Sequence, residues 1–258
     1  MTTLCINFFF IIEQRALFIL NLALQKMAPK KKKIVVFTGA GMSAESGIQT
    51  FRAADGLWAN YRIEDVATFE AWQKDKALVL DFYNQRRKQI LEAKPNEGHK
   101  LIASLQKQYD VQIITQNIDD LHERAGSKKV LHVHGEITKS RSTVSSHLVY
   151  NIKGNDLNIG DLCERGSQLR PHIVWFGEQV PEMDNAITLT EEADIFITIG
   201  TSLNVYPAAN IIHVTSAYTP KFLIDPNDFN LSTIKNLTHL KTGASEGMRI
   251  LIEKLNSL

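Results

Sequence analysis

Short runs of β-branched and aromatic residues alternate along the chain with stretches of helical periodicity. The runs are residues 34–38, 111–115, 129–133, 172–176, 194–199 and 221–224, and the helical stretches are 74–93, 98–108, 183–192, 208–217 and 245–256. The runs lack the apolar–polar alternation of a half-buried strand, so we expect them to be buried on both faces of a parallel sheet. This alternation predicts an α/β fold with a Rossmann-like, doubly wound parallel sheet.

Two stretches depart from the alternation. Residues 53–95 are mostly helical and follow the first glycine turn, whereas residues 136–170 are polar and irregular. We predict that together they form a small inserted second lobe. A chain of 258 residues suits one large domain of this kind, and we assign residues 28–258 to it.

The N-terminal residues 4–24 are apolar, but Glu13, Gln14 and Arg15 interrupt them, and the remaining runs are too short to cross a bilayer. They also lack the basic start and small cleavage-site residues of a signal peptide. Met27 then begins a sequence that resembles an ordinary cytosolic start. We interpret residues 1–27 as an N-terminal extension, either dispensable or a consequence of a mis-assigned start.

The charge and cysteine content narrow the possible partners and the compartment. A formal net charge of +1 supplies no general field for nucleic acid or an anionic membrane, so we expect neither as a partner. The basic run at 30–33 is interpreted as a solvated segment before a strand. The 2 cysteines, Cys5 and Cys163, favour a reducing compartment, and we expect a cytoplasmic protein.

Glycines follow the first predicted strand at Gly39 and Gly41. Such a turn lets the backbone approach a phosphate, although it also serves as a plain tight connection between a strand and a helix. A dehydrogenase fingerprint would continue into a second strand that ends in an acidic residue about 20 residues later. The sequence FRAADGLWANYRIEDVA occupies that region and is not a strand. The turn is therefore not a standard dehydrogenase motif.

Polar residues follow two further predicted strands. Gln116, Asn117 and Asp119 come after the second strand, at the sheet edge where ligands bind, although Asn and Asp also cap helices. His132 and His134 share one face of the next strand. A general base and a structural histidine are both open interpretations of His134.

These motifs together resemble the sirtuin family. The sequences GAGMSAESGIQTFR at 39–52, TQNIDDLHERAG at 115–126, HVHG at 132–135, RPHIVWFGE at 170–178 and GTSLNVYPAA at 200–209 occur in sirtuin order and spacing. The resemblance covers roughly residues 28–258 and is closest to the bacterial and mitochondrial branch that removes acidic acyl groups. It implies an NAD-dependent protein-lysine deacylase.

The resemblance also implies roles by position. Catalysis would use His134 as general base on a ribose hydroxyl, with Asn117 and Asp119 holding the nicotinamide ribose and carboxamide. The acyl-lysine oxygen would attack the ribose carbon as nicotinamide departs, which gives free lysine and O-acyl-ADP-ribose. The residues that the resemblance assigns to NAD are Gly39, Ala40, Gly41, Phe51, Arg52, Trp58, Gln116, Asn117, Ile118, Asp119, Gly200, Thr201, Ser202, Asp225, Asn227 and Ala244.

A tyrosine and an arginine in the helix predicted at 74–93 indicate which acyl group the protein recognises. Tyr83 and Arg86 are three residues apart and share a helix face, where a phenol and a guanidinium can bind a carboxylate. In an anonymous helix, a core tyrosine and a solvated arginine would be the alternative. In sirtuins this pair marks enzymes that act on succinyl, malonyl or glutaryl lysine. Ala67 matches a small residue that widens their acyl pocket, and Val174 and Phe176 resemble the walls of the lysine tunnel. We predict a desuccinylase and demalonylase with weaker deacetylase activity on acylated proteins.

The sequence departs from the family at its zinc site. The positions of the four usual cysteines correspond to Ser142, Ser145, Cys163 and Gly166. Serine is a poor zinc ligand, so we predict that zinc is absent and that the small lobe lacks the usual zinc site. We expect an apolar cluster in its place, formed by Leu148, Val149, Tyr150, Ile152, Leu157, Ile159 and Leu162.

Two rival functions use the same cofactor pocket. One is ADP-ribosyl transfer or NAD hydrolysis without the acyl-lysine step, and the other is a non-catalytic NAD sensor. The Tyr83–Arg86 pair and the retained tunnel residues Val174 and Phe176 argue against the first rival. The joint presence of His134, Asn117 and Asp119 argues against the second.

Overall fold

The computed structural model describes residues 30–49, 61–154, 156–201, 208–229 and 231–256. The chain divides into two compact units, Met1–Lys32 and Lys33–Leu258, and of the first only residues 30–32 are described. The predictions for residues 1–27, Phe51, Arg52, Trp58 and Ser202 lie outside the described residues.

The strands and helices of the described residues alternate along most of the chain. The strands are β1 (Lys33–Thr38), β2 (Asp110–Thr115), β3 (Val130–His132), β4 (Gly135–Ser142), β5 (Val149–Asn151), β6 (Leu169–Ile173), β7 (Ile195–Ile199), β8 (Lys221–Ile224) and β9 (Leu237–Leu240). The α-helices are α1 (Gly41–Ala44), α2 (Ile63–Val66), α3 (Phe69–Lys74), α4 (Lys76–Glu92), α5 (Glu97–Leu105), α6 (Leu121–Arg124), α7 (Met183–Glu191) and α8 (Ala244–Leu255), and a 3-10 helix spans Ala208–His213.

The main sheet has six strands in the order β3-β2-β1-β7-β8-β9, and every described pairing within it is parallel. Alternate residues of β1 enter two separate cores. Ile34 and Val36 pack with residues of α5 and α8 on one face. Val35 and Phe37 pack with residues of α7 and the 3-10 helix on the other. Because both faces are covered, the four central residues of the strand are all apolar, and the predicted doubly wound α/β fold is confirmed.

The small lobe combines helices and an antiparallel sheet. Helices α2, α3 and α4 pack with the three-stranded sheet β5-β4-β6 around one apolar core. The described residues contain no helix that is long and apolar enough to cross a bilayer.

Two local predictions were wrong, and one strand was not predicted. The run at 172–176 is not a strand of the parallel sheet, because the strand there is β6, which pairs antiparallel with β4. Helical periodicity at 208–217 produces only the short 3-10 helix. The sequence LTHL of β9 was not predicted as a strand, because it lies at a sheet edge and its burial is incomplete.

The expected apolar cluster in the small lobe was also wrong. Leu157 is buried, and Ile152 packs against the same core. In contrast, Val149, Ile159 and Leu162 are exposed by 37%, 59% and 54%. Hydrogen bonds between side chains, described below, occupy the place of this cluster.

Candidate active site

Loops from neighbouring strands meet at the carboxyl edge of the main sheet. The Gly39 amide donates to the Ile199 carbonyl at 3.0 Å, and the Gly41 amide donates to the Gly200 carbonyl at 2.8 Å. These bonds join the loops after β1 and β7, which lie side by side where the strand order reverses. Ligands of open α/β sheets bind at this switch point.

The glycines of these two loops are required by their mutual approach. A Cβ on Gly39 would lie 2.8 Å from the Gly200 carbonyl oxygen, and a Cβ on Gly41 would lie 2.6 Å from the Gly200 Cα. Gly200 itself has a φ of +60°, which favours glycine. The contact between the loops therefore accounts for all three glycines before any ligand is considered.

Ser43 connects the predicted catalytic residues Asn117 and Asp119. Its hydroxyl donates to Asp119 Oδ2 at 2.9 Å and accepts from Asn117 Nδ2 at 3.1 Å. Asn117 Nδ2 also donates to the Gly39 carbonyl at 3.1 Å. Burial raises the pKa of the Asp119 carboxyl, while the Leu121 amide and the Ser43 hydroxyl oppose the rise. The group is therefore a rigid polar surface fixed to the loop after β1.

Gln116 joins the loops after β2 and β7. Its Oε1 accepts from the Thr201 hydroxyl at 2.9 Å. Its Nε2 is buried and has no hydrogen-bond partner within the described residues. A buried donor without an acceptor is costly, so a ligand oxygen at this position would be favourable. The residues present therefore fit a hydroxyl-rich ligand such as the ribose of NAD.

His134 has the hydrogen bonding of a neutral base. Its Nδ1 lies 3.0 Å from the Gln116 carbonyl oxygen, and a carbonyl can only accept. Burial lowers the pKa of the imidazole, with the Gln116 carbonyl opposing the change. The proton of the neutral ring therefore belongs on Nδ1, and Nε2 keeps a free lone pair.

His132, on the same strand end, has a different environment. Its Nε2 lies 2.8 Å from the Glu123 carboxylate and its Nδ1 lies 3.1 Å from the Asn117 carbonyl. Burial lowers the pKa of His132, but Glu123, Glu136 and the Asn117 carbonyl together raise it by more, so the net shift is upward. The imidazole thus joins the backbone of Asn117 to helix α6, as a structural histidine.

The residues predicted to contact the substrate lie in the small lobe. Ala67 follows α2, and Val174 and Phe176 follow β6. The Phe176 amide donates to the Ala67 carbonyl at 3.0 Å, and the Val174 amide donates to the His134 carbonyl at 2.9 Å. Ala67 is buried, whereas Phe176 is exposed by 45%. The backbone after β6 therefore links the predicted acyl-binding residues to the predicted base.

Tyr83 and Arg86 are both buried on α4. The Tyr83 hydroxyl accepts a hydrogen bond from Trp175 Nε1 at 3.0 Å, and an Arg86 amino group donates to the Gln49 carbonyl at 3.3 Å. Burial lowers the pKa of Arg86, and the nearby groups of Tyr83 and Asp119 oppose that shift. Arg86 is only 8% exposed, so the alternative of a solvated arginine does not hold.

The residues predicted on the adenosine side form separate contacts. Asp225 Oδ1 accepts from the backbone amide and the side-chain amide of Asn227, each at 2.9 Å. Ala244 is buried at the start of α8, where the next amide, that of Ser245, donates to the Glu45 carboxylate at 3.1 Å. Within the described residues, no hydrogen bond joins these groups to Gln116, Asn117 or Asp119.

Ala40 and Ile118 take part through their backbones. The Ala40 carbonyl accepts from the Ser43 amide at 3.1 Å and so closes the first turn of α1. The Ile118 carbonyl accepts from the Ile137 amide at 2.9 Å. The second bond ties the loop after β2 to β4 of the small lobe.

Three small polar side chains meet in the small lobe, and we call Ser142, Cys163 and Ser167 the serine–cysteine cluster. The two hydroxyl oxygens are 2.8 Å apart, and Cys163 Sγ lies 3.5 Å from Ser142 Oγ and 3.1 Å from Ser167 Oγ. The hydroxyls of Ser142 and then Ser167 lower the pKa of the thiol to about 6. Within the described residues, no three His, Cys, Asp or Glu side chains converge as a metal site would require.

Sequence reasoning missed Ser43, Trp175 and Ser167 as members of these groups. Ser43 belongs to a quoted motif, but its partners are 74 and 76 residues away in the chain. Trp175 is 92 residues from Tyr83. Only Ser167 had a local signal, because it lies four residues after Cys163 in a tight turn.

Comparison with known proteins identifies the family of this chain. The model of the Sir2 family matches residues 39–207. An NAD-dependent protein deacylase of Bacteroides thetaiotaomicron is 52% identical over 229 residues, which cover 87% of this chain and 98% of the relative. An NAD-dependent protein deacylase of Helicobacter pylori is 50% identical over 224 residues, which cover 87% of this chain and 97% of the relative.

Solved structures of Sir2 homologues are similar to this chain in fold as well. A mutant Sir2 homologue in complex with ADP-ribose superimposes with a TM-score of 0.79 at 38% identity, covering 92% of this chain and 98% of that one. A complex of a Sir2 homologue with NAD has a TM-score of 0.79 at 37% identity, covering 91% and 93%.

Proposed function

We propose that this chain, which belongs to the Sir2 family and is an NAD-dependent protein deacylase, acts best on lysines whose acyl group ends in a carboxylate. Succinyl-lysine and malonyl-lysine proteins would be preferred substrates, with acetyl-lysine turned over more slowly. The observation that carries this proposal is the burial of Tyr83 and Arg86 side by side on α4.

A buried guanidinium favours an anionic ligand. Removing Arg86 from water disfavours its charge, as the lowered pKa of this side chain reflects. A carboxylate next to the guanidinium would restore the lost stabilisation and could form two parallel N–H···O bonds. An acetyl group ends in a methyl, which offers neither charge nor acceptors. The preference for an acidic acyl group follows from this difference.

Tyr83 supplies a second donor. Burial raises the pKa of its phenol, so the hydroxyl remains protonated at neutral pH. A protonated hydroxyl can donate to one carboxylate oxygen while the guanidinium binds the other. Ala67 has a small side chain and is buried in the same core as Tyr83, so it would take up less of an acyl pocket than a larger residue would.

The polar group at the sheet edge would handle the cofactor. NAD supplies the ribose that receives the acyl group. We assign to His134 Nε2 the removal of a proton from a ribose hydroxyl, since its lone pair is free. Asn117 and Asp119 would hold the nicotinamide end, and Gln116, Gly200 and Thr201 would hold the ribose and phosphates. Ser43 fixes the first two in place.

The small lobe would need no zinc. The serine–cysteine cluster joins the end of β4 to the turn before β6 through hydrogen bonds among three side chains. The resemblance to sirtuins implies that two of the usual zinc-binding cysteines correspond to Ser142 and Cys163 at this junction. We further propose a cytoplasmic protein that has no nucleic-acid or membrane partner.

Replacement of Arg86 tests the acyl preference. Arg86→Met keeps much of the side-chain length and removes the charge, so kcat/KM for a succinyl-lysine peptide should fall by about two orders of magnitude, as expected for a lost charged hydrogen bond of about 3 kcal/mol. Activity on the acetyl-lysine peptide should be unchanged or rise. Lys88→Met is a matched control, because Lys88 is an exposed cation on the same helix. Equal losses on both peptides would contradict the receptor role.

A further inference from the structure

We propose that Trp175 determines the acyl preference by fixing the direction of the Tyr83 hydroxyl proton, an inference that rests on the proposed preference for acidic acyl groups. Trp175 Nε1 and the Tyr83 hydroxyl oxygen are 3.0 Å apart. Both side chains are almost fully buried, at 2% and 3% exposure. Trp175 would be a positioning residue, since it acts on the substrate only through Tyr83.

The direction of this hydrogen bond is not ambiguous. An indole nitrogen carries a proton and has no lone pair in the ring plane, so it can only donate. The Tyr83 oxygen is therefore the acceptor, and its own proton must point elsewhere. Within the described residues the Tyr83 hydroxyl has no second hydrogen-bond partner. The phenol is thus held as a donor that lacks an acceptor until a ligand supplies one.

A fixed donor discriminates between acyl groups. A carboxylate offers two oxygens that only accept, whereas the methyl end of an acetyl group offers none. If the indole did not donate, the hydroxyl could rotate and turn its lone pairs toward the ligand, which would repel a carboxylate. Because Trp175 already occupies the acceptor side of the oxygen, less rotational freedom is lost when the acidic substrate binds.

Trp175 is itself held from two sides. The Arg170 guanidinium carbon lies 3.3 Å from the centre of the indole ring. Glu178 binds that guanidinium through both carboxylate oxygens, at 2.6 and 3.0 Å, and one of them also accepts from the Trp175 backbone amide at 2.8 Å. Arg141 adds a longer contact to the same carboxylate at 3.2 Å. The ring and the backbone of Trp175 therefore have little freedom, and neither does its N–H direction.

Removal of the indole N–H tests this role. Trp175→Phe keeps an aromatic ring and removes the donor, so kcat/KM for a succinyl-lysine peptide should fall about tenfold while that for the acetyl-lysine peptide changes less than about twofold. In the Tyr83→Phe background the same substitution should have no further effect on the succinyl peptide, because the hydroxyl is already absent. Site-specific replacement of Trp175 by benzothienylalanine, which keeps the two-ring shape without the N–H, should match Trp175→Phe.

Trp72→Phe is the matched control. Trp72 packs in the same core with its ring centre 5.7 Å from that of Trp175, yet no hydrogen bond joins it to Tyr83. This variant should lower the unfolding temperature and leave the ratio of succinyl to acetyl activity unchanged.

The possible outcomes distinguish the role of Trp175 from the proposed preference for acidic acyl groups. A wild-type enzyme without a succinyl preference would overturn both. A wild-type preference that Trp175→Phe and benzothienylalanine leave intact, or reduce equally for both peptides, would overturn the role of Trp175 alone. Losses that add fully in the Tyr83→Phe background would also overturn it.

Discussion

The Ser43 hydroxyl donates to the Asp119 carboxylate at 2.9 Å, which joins helix α1, after β1, to the loop after the neighbouring strand β2. Ser43 is 1% exposed and Asp119 is 3% exposed, so water does not compete for this bond. The same hydroxyl accepts from Asn117, and it therefore sets the positions of two residues that we assign to the nicotinamide end of NAD.

Ser43→Ala should impair the use of NAD more than the binding of the peptide. Loss of a hydrogen bond to a buried carboxylate costs about 1.5–3 kcal/mol, so kcat/KM for NAD should fall at least about tenfold. Steady-state kinetics with NAD varied at saturating peptide measure this effect. Ser46→Ala is the control from the same loop, because the Ser46 hydroxyl has no hydrogen-bond partner within the described residues. Similar losses in both variants would contradict the positioning role of Ser43.

The parts of this site that follow strands could be predicted from the sequence, because a residue directly after a parallel strand lies at the ligand-binding edge whatever the tertiary details. Gln116 and His134 are of this kind. Trp175 could not be assigned in this way, because its function depends on a hydrogen bond to a residue 92 positions earlier. The strand at 172–176 was placed in the wrong sheet for a related reason. A short apolar run indicates burial but does not specify its partner strand.

Two buried histidines should make the fold sensitive to acid. The rings of His99 and His122 lie 4.8 Å apart, and both side chains are buried. Burial lowers the pKa of His99 to about 4 from the ordinary 6.5 and lowers that of His122 as well. As the pH falls below about 6.5, the unfolded chain takes up protons first, so the free energy of unfolding should decrease until the pH reaches about 4. For His99 the loss is about 3 kcal/mol.

Chemical denaturation between pH 7 and pH 4 measures this loss. His99→Gln removes the titrating ring and should make the stability less dependent on pH over that range. His147→Gln is the control, since His147 is exposed. His132 contributes with the opposite sign, because its raised pKa stabilises the fold at low pH and that contribution is lost as the pH rises. An unchanged pH dependence in His99→Gln would contradict a contribution of His99 to the acid response.

The serine–cysteine cluster predicts a small lobe that withstands a chelator. Extended dialysis against EDTA should leave the deacylase activity and the unfolding temperature unchanged. Elemental analysis of the purified protein should give much less than one zinc per chain. A stoichiometric zinc content, or a loss of structure on chelation, would contradict a metal-independent lobe.

Ser142 should be the most sensitive member of that cluster. Its hydroxyl contacts Ser167 and Cys163 and also accepts from the Val144 amide at 3.2 Å. Ser142→Ala should therefore lower the free energy of unfolding by about 1–3 kcal/mol, measured by urea denaturation. Ser145→Ala is the control, because Ser145 accepts from the Leu148 amide through its backbone carbonyl, which the substitution retains. Equal effects of the two substitutions would argue that the cluster does not stabilise the lobe.

The most direct test of the account compares one peptide carrying either succinyl-lysine or acetyl-lysine, with and without NAD. Release of free lysine peptide and of nicotinamide should require NAD and the acylated peptide together, and it should be faster for succinyl-lysine than for acetyl-lysine. Faster or equal removal of the acetyl group would contradict the carboxylate receptor formed by Tyr83 and Arg86. Nicotinamide release that does not depend on the acylated peptide would instead indicate NAD hydrolysis or ADP-ribosyl transfer.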